Sequence, residues 1–313
     1  MTRHEKPTTP PKVSIGMPVY NGERYIREAL DSLLAQTHAD FELIISDNAS
    51  TDGTEAVCRG YAARDPRIRY VRQSENRGAM ANFRFVLDEA AGEYFMWAAA
   101  DDRWDAWWLD ALLKRLDPGV AVAFGSTVSF RDDGQKEMRF TLRSLVGPRT
   151  LRMLRFYLWT EWSTKANVIY GLYRTTELRK VATEVIGQTA DWRVCLDDLL
   201  VFTMLEVGRL CIEPSVTFYK RRPVVAPRLL LAWRRLPHLG VMLFHLDHVP
   251  YLMEHVRRSP PGVTRWAVLA ATPIKYLRLV CRGHGRAAAL ILRRVRERIL
   301  LHRQGTKELR LDQ

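Results

Sequence analysis

From residue 13 onward the chain alternates short apolar runs with amphipathic stretches. Val13-Ser14-Ile15-Gly16-Met17 is an apolar run, and Pro18 predicts that a first strand stops there. After the loop Pro18-Val19-Tyr20-Asn21-Gly22, residues Tyr25, Ile26, Ala29, Leu30, Leu33 and Leu34 recur at helical spacing. Phe41 to Ser46 reads as a second strand and ends on Asp47. Ile68 to Arg72 is a third strand. Ala79 to Ala91 is a helix, with Met80, Phe83, Val86, Leu87 and Ala90 on one face. Tyr94 to Ala99 is a central strand that runs into Asp101-Asp102. Trp107 to Leu116 is helical and is stopped by Asp117-Pro118-Gly119, and Val120 to Phe124 is a buried strand. Strands alternating with helices predict an α/β fold with a mostly parallel sheet, covered by helices on both faces. Its polar residues gather beyond the strand ends, where open sheets of this kind bind nucleotides.

Beyond Phe130 the pattern loosens. Residues 138–165 mix Arg, Trp and Tyr without a clean period. Val168 to Tyr173 reads as a strand, Asp197 to Val207 as a helix closed by Gly208, and Thr217 to Arg222 as the last element of the globular part. After Pro223 the chain reads as helices interrupted near Pro237, Pro250, Pro260-Pro261 and Pro273. The expected organisation is a disordered lead over 1–11, a globular domain over 12–222 and a helical tail over 223–313. Within the domain, a nucleotide-facing half covers about 12–130 and a second half about 131–222.

Charge changes this picture in one place. Residues 223–313 hold 15 Arg and 2 Lys against 2 Asp and 3 Glu, so +12 of the net +13 lies in the tail. Within it, Ile291, Leu292, Val295 and Ile299 form a narrow apolar stripe among Arg293, Arg294, Arg296 and Arg298. Such a helix suits peripheral contact with an anionic membrane surface. The other reading is an appendage that packs its stripe on the domain. Nucleic acid is not the expected partner, because no recognition motif accompanies the charge. The polar, proline-rich start MTRHEKPTTPPK shows no signal-peptide pattern, and no window offers about 18 uncharged apolar residues. Four cysteines without a CxxC pair suit a reducing compartment. The expected location is cytoplasmic, at the inner face of the membrane.

The candidate chemistry lies in carboxylates. Asp101 and Asp102 are adjacent at a strand end, where they repel each other unless a cation sits between them and a ligand. A divalent ion there would bridge to a diphosphate and neutralise leaving-group charge. Aromatic residues Trp159, Trp162, Tyr170 and Tyr173 fall between these acids and a further acidic pair, Asp197-Asp198.

Pro18-Val19-Tyr20-Asn21, the strand-terminal Asp47 and the run Asp47-Asn48-Ala49-Ser50-Thr51-Asp52-Gly53-Thr54 resemble the nucleotide-sugar half of the family 2 inverting glycosyltransferases, which have the GT-A fold. The resemblance covers the domain well and the tail hardly at all. It implies that the Pro18–Asn21 loop lies against the nucleotide base and that Asp47 accepts a hydrogen bond from it. Asn76-Arg77-Gly78, followed by Asn82, resembles the family's Asn-x-Gly loop beside the donor. Asp101-Asp102 matches the end of its Asp-x-Asp-Asp metal motif, with Ala99 in place of the first acid. One of the pair is then expected to ligate Mg²⁺ or Mn²⁺ and the other to hold the ribose. An inverting transfer also needs one general base. The family presents it at the start of a helix that ends in Gly, a register that Asp197 meets, with Asp198 and Asp191 as rivals. The implied activity is transfer of a sugar from a nucleoside diphosphate donor to a hydroxyl of a glycan or glycolipid acceptor, as in polysaccharide biosynthesis. A nucleotidyltransferase would show a Gly- and Arg-rich loop after the first strand. A non-catalytic nucleotide-sugar-binding protein would need no base. A dehydrogenase is disfavoured because no GxGxxG follows the first strand.

Overall fold

The computed structural model describes residues 10–132, 137–159, 165–188, 196–222 and 251–276. Asp191, Trp162, nearly all of the lead and the stripe from Ile291 to Ile299 lie outside the described residues. The strands are β1 (Val13–Val19), β2 (Phe41–Asp47), β3 (Ile68–Arg72), β4 (Tyr94–Trp97), β5 (Arg103–Trp104), β6 (Val120–Phe130), β7 (Met138–Phe140), β8 (Leu172–Arg174) and β9 (Arg209–Arg221). Among the described residues they form one sheet in the order β3-β2-β1-β4-β8-β6-β9-β5, with β7 paired to β6. The helices are α1 (Ile26–Leu34), α2 (Thr54–Ala62), α3 (Ala79–Glu89), α4 (Trp108–Leu113), α5 (Arg149–Leu158), α6 (Thr175–Gln188) and α7 (Leu196–Val207). The chain is helical again over 251–258 (α8) and 263–276 (α9).

The sheet is mixed rather than mostly parallel. β3, β2, β1 and β4 run parallel, β8 runs antiparallel to both β4 and β6, and β6 and β9 are parallel again. In the parallel part the strand ends are in register, Val19 beside Asp47 and Asp47 beside Arg72, so the loops that follow share one crevice.

Pro18 does not end β1. It pairs with Ser46 of β2 inside the ladder. The carbonyl of Gly16, two residues earlier, accepts from the Ala98 amide on the β4 side, and the β1–β4 register ends at Gly16. The N–H that proline lacks thus points where the neighbouring strand has already left, and no ladder bond is lost. A Cβ on Gly16 would stand 2.7 Å from both Phe95 and Val86, so glycine there lets α3 lie close on β1.

The expected strand over 168–173 is a 3-10 helix (Lys165–Tyr170) followed by the short β8. Gly171 marks the change. Its amide donates to the Val168 carbonyl at 2.9 Å, and its own Cβ position would lie 2.7 Å from the Ala123 carbonyl oxygen. β6, expected to end at Phe124, continues to Phe130 through a register shift against β9 between Gly125 and Ser126.

α7 is buried nearly all round through Leu199, Leu200, Val201, Phe202, Met204 and Leu205, as suits a helix inside the body of the domain. Tyr251, Leu252 and Val256 of α8 and Val268 and Ala271 of α9 join the same core. The described part of the tail is therefore docked on the domain. None of the described helices is long and apolar enough to cross a membrane.

Candidate active site

The crevice beyond β1, β2 and β3 is built by hydrogen bonds between loops. The loop after β1 is stitched to the loop after β2. Asn21 N donates to Ser50 Oγ (2.9 Å), Thr51 N to Asn21 Oδ1 (2.8 Å), and Gly22 N to Thr54 Oγ1 (2.8 Å). Asn48 then joins the loop before α3. Its amide side chain donates to Asn76 Oδ1 (2.8 Å), and its Oδ1 accepts from Arg77 N (3.0 Å). Asn21 and Ala49 carry positive φ, 51° and 60°, a strained choice for non-glycine residues that clusters at functional sites. Tyr20 is exposed at the rim, and the side chain of Arg77 is exposed as well. Pro18 and Val19 lie in the last two ladder positions of β1, and Asn76 is exposed beside Arg77. Pro18 to Asn21, Asn76 and Arg77 thus stand on or beside loops that are bonded to one another.

Asp47 is fully buried there. Its Oδ1 accepts from Ser50 N (2.8 Å), and its Oδ2 accepts from Tyr70 Oη (2.7 Å) and Arg72 Nη1 (2.9 Å). Burial and the Asp47 carboxylate push the Tyr70 phenol above its ordinary range, so it remains a donor. As placed, Asp47 organises the loop that faces the crevice.

The acid pair splits. Asp102 is fully buried: its Oδ2 accepts from Lys220 Nζ and its Oδ1 from Arg221 N, both at 2.8 Å. Burial pushes its carboxyl up to about 6, against the pull of the Lys220 charge. Burial acts against the Lys220 ammonium too, but Tyr170, Asp102 and Asp101 outweigh it and hold that group above its ordinary range. At neutral pH the two form an ion pair. Arg221, almost fully buried, locks the end of β9 in place. It donates to the Asp101 carbonyl (3.0 Å), to Glu28 Oε2 (2.8 Å) and to Asp132. Asp101, beside Asp102, is half-buried.

A divalent cation fits this donor set through one carboxylate. No cluster of three or more His, Cys, Asp or Glu able to hold a metal occurs among the described residues. With both Asp102 oxygens engaged, Asp101 remains, and magnesium sites commonly use one or two carboxylates with substrate phosphates completing the shell.

Tyr170 stands beside Lys220. Lys220 Nζ lies 5.2 Å from its ring centroid. Burial pushes its phenol up to about 12; Lys220 pulls it back, while the charges of Asp102, Asp197 and Asp101 add to the push. The charges of the strand-end acids and of the start of α7 thus both reach this ring. Tyr173 is a core residue, its hydroxyl donating to the Val168 carbonyl (2.6 Å).

At the start of α7 two neighbouring acids have opposite environments. Asp197 is half-buried, and burial together with the adjacent Asp198 charge pushes its carboxyl up to about 6. Asp198 is sealed in the core. Its Oδ2 lies 3.0 Å from Lys165 Nζ and 3.5 Å from His255 Nε2, and it accepts from the Tyr251 hydroxyl. Burial alone would raise its carboxyl, but Lys165, His255 and Tyr251 hold it well below the usual carboxylate range. Asp198 is thus an anchor for α8. Lys165, Lys220, Tyr251 and His255 were not singled out in the sequence. The only signal was indirect: paired acids at strand and helix ends require cations, and Lys220-Arg221 follows an apolar run.

Comparisons with known proteins bear on the family and the fold. The family model for glycosyl transferase family 2 matches residues 14–178. An uncharacterized protein of Mycobacterium tuberculosis, Rv1520, is 43% identical over 126 residues, which cover 39% of this chain and 36% of that one. The putative teichuronic acid biosynthesis glycosyltransferase TuaG of Bacillus subtilis is 38% identical over 107 residues, 34% of this chain and 41% of its own. The chain thus matches well under half the length of these relatives. Among solved structures, Staphylococcus aureus TarS in complex with UDP-GlcNAc superposes with a TM-score of 0.57 at 17% identity, over 85% of this chain and 73% of that one. The mannosyltransferase PcManGT from Pyrobaculum calidifontis, in complex with GDP-Man and Mn²⁺, gives 0.53 at 20% identity, over 90% and 76%. These likenesses show the GT-A fold. The family match takes in the crevice, Asp47 and the strand-end acids, and runs over more than half of the sequence: the chain belongs to glycosyl transferase family 2.

Proposed function

We infer that this protein transfers a sugar from a nucleoside diphosphate donor to a hydroxyl of a lipid-linked or polymer-bound glycan, with inversion at the anomeric carbon. The observation that carries this reading is the set of loops sewn together beyond β1, β2 and β3, with the half-buried Asp101 after β4, all inside the span that the family model matches. The complexes named for TarS and PcManGT support the donor class, and the TuaG relative supports a polymer acceptor.

In this reading the donor lies in the stitched crevice, with the base against Pro18–Asn21 and the diphosphate toward Asp101. The acceptor oxygen attacks the anomeric carbon while Asp197 takes its proton. The bond from that carbon to the diphosphate oxygen breaks, and the nucleoside diphosphate leaves with the electron pair. Lys220 offers fixed positive charge near that oxygen, which is worth most where charge develops. Asp101 would hold Mg²⁺ or Mn²⁺, which supplies further neutralising charge to the leaving diphosphate.

A panel of nucleoside diphosphate sugars, incubated with Mn²⁺ and scored for nucleoside diphosphate release, tests the reaction, and the anomer of the product tests inversion. Pyrophosphate-dependent conversion of the same donors to nucleoside triphosphate and sugar 1-phosphate would make the protein a nucleotidyltransferase. Donor binding without turnover would leave it a binding protein. Asp101→Asn is expected to cut turnover roughly a hundredfold or more with an unchanged melting temperature, and a chelator should do the same to the native enzyme. Full activity in chelator would remove the cation from this scheme.

Asp47→Ala is expected to act on donor binding. It removes the carboxylate that orders Ser50, Tyr70 and Arg72, and with them the wall of the crevice. Calorimetric titration with the nucleoside diphosphate should show affinity reduced by about tenfold or more. KM should rise more than kcat falls, since the binding lost is common to ground and transition states. Unchanged affinity would mean that the base is held elsewhere.

A further inference from the structure

The inward side of α9 is fully occupied. Thr264 Oγ1 pairs with Thr150 Oγ1 (2.6 Å), Val268 and Ala271 enter the core, and Lys275 Nζ donates to the Trp159 carbonyl (2.5 Å). These contacts fix which side of the helix faces outward. That side carries Val263, Trp266, Ala270 and Ile274, spaced along one face, with Leu269 and Pro273 on its flank. Val263 is 78% exposed, Trp266 70% and Ile274 52%. No charged residue lies on this face. Arg265, on its border, is turned back onto the preceding helix, donating to the Ser259 (3.1 Å) and Arg257 (3.2 Å) carbonyls. An apolar helix is expected to be covered on both sides, and among the described residues α9 is covered on one.

We propose that the outward face of α9 docks on an anionic lipid bilayer, with Trp266 at its centre. Charge complementarity selects this occupant. The 37 residues that follow α9 contain 9 Arg and 1 Lys against 1 Asp and 2 Glu, so the helix is followed in sequence by strongly basic chain. Apolar burial and attraction to anionic headgroups are the two terms that bind a helix in the membrane interface, and tryptophan favours that depth. A protein partner would need no such charge, and a free phosphate would need no apolar face. The inference goes beyond the transfer reaction, and its test does not depend on it.

The full-length protein is mixed with phosphatidylcholine vesicles, with or without phosphatidylglycerol, and sedimented. It should bind the anionic vesicles, bind neutral ones poorly, and be released as salt rises. Trp266→Glu and Ile274→Glu should each weaken partitioning by about tenfold or more while leaving the melting temperature and any turnover of soluble donor unchanged. Binding equal to the native protein in both variants would overturn the proposal, as would a native protein that ignores anionic vesicles at low salt. Two further results would overturn it by assigning the face to another occupant. A dimer in solution that Trp266→Glu dissolves, without vesicle binding, gives the face to a second copy. A lower melting temperature in Trp266→Glu, without vesicle binding, gives it to the chain's own basic segment.

Discussion

Asp197→Asn is expected to abolish sugar transfer while leaving donor binding and the fold intact. The amide keeps the size and the acceptor oxygen but cannot take the acceptor's proton, so kcat should fall by roughly 10²–10⁴-fold. The pH profile gives a second signature. Burial and the neighbouring Asp198 charge raise the Asp197 carboxyl to about 6, and only its ionised form is a base. Activity of the native enzyme should therefore climb through pH 6 from the acid side, and the Asn variant should lack that limb. Because the folded state disfavours this carboxylate, replacing it should not lower the melting temperature at neutral pH. A variant that retains more than a tenth of native turnover would move the base to Asp198 or Asp191.

The same substitution one residue on should produce the reverse phenotype. Asp198→Asn removes the carboxylate that faces buried Lys165 and accepts from Tyr251. Breaking a buried ion pair from one side typically costs about 3–5 kcal/mol, so urea denaturation should show a loss of that order. The linkage has a definite sign. Asp198 is held below the ordinary carboxylate range when folded, so its contribution is present above the unfolded value near 4 and is lost as pH falls below it. The Asn variant should lack that part of the acid destabilisation. A double change, Lys165→Met with Asp198→Leu, removes both charges and should recover much of the loss. If Asp198→Asn folds as stably as the native protein and loses only activity, the roles of the two neighbours are exchanged.

The two acids show where a sequence is readable and where it is not. Their position at the start of an apolar helix is plain from spacing, and so is the register of Asp197 before Gly208. What separates them is Lys165, Tyr251 and His255, which lie 33, 53 and 57 residues away and carry no period that points to α7. Lys220 is likewise 118 residues from Asp102, although the acid pair itself was legible from the strand before it. Elements with a strong local pattern came through, as in β2, β3 and the core of α1. Pro18 misled because the cost of a missing N–H depends on the neighbouring strand, and that strand ends before it. Val168 to Tyr173 misled because apolar β-branched and aromatic residues suit a strand, while the close approach of Gly171 to Ala123 decides where the turn falls. The direction of β8 is a tertiary choice that no single segment encodes.

The hydrogen bonds that sew the crevice loops together bear on how a ligand meets them. Asn21, Asn48, Ser50 and Thr54 hold backbone amides of neighbouring loops with side-chain oxygens, and Asn76 accepts from the Asn48 side chain, so these segments have few conformations left. The chain entropy that loose loops would lose at every encounter is here lost once, on folding. In the proposed reaction, a donor would then enter a wall already in shape. An exchange in this seam, Asn48→Ala for instance, is expected to weaken capture of a nucleoside diphosphate by restoring disorder to the unliganded state.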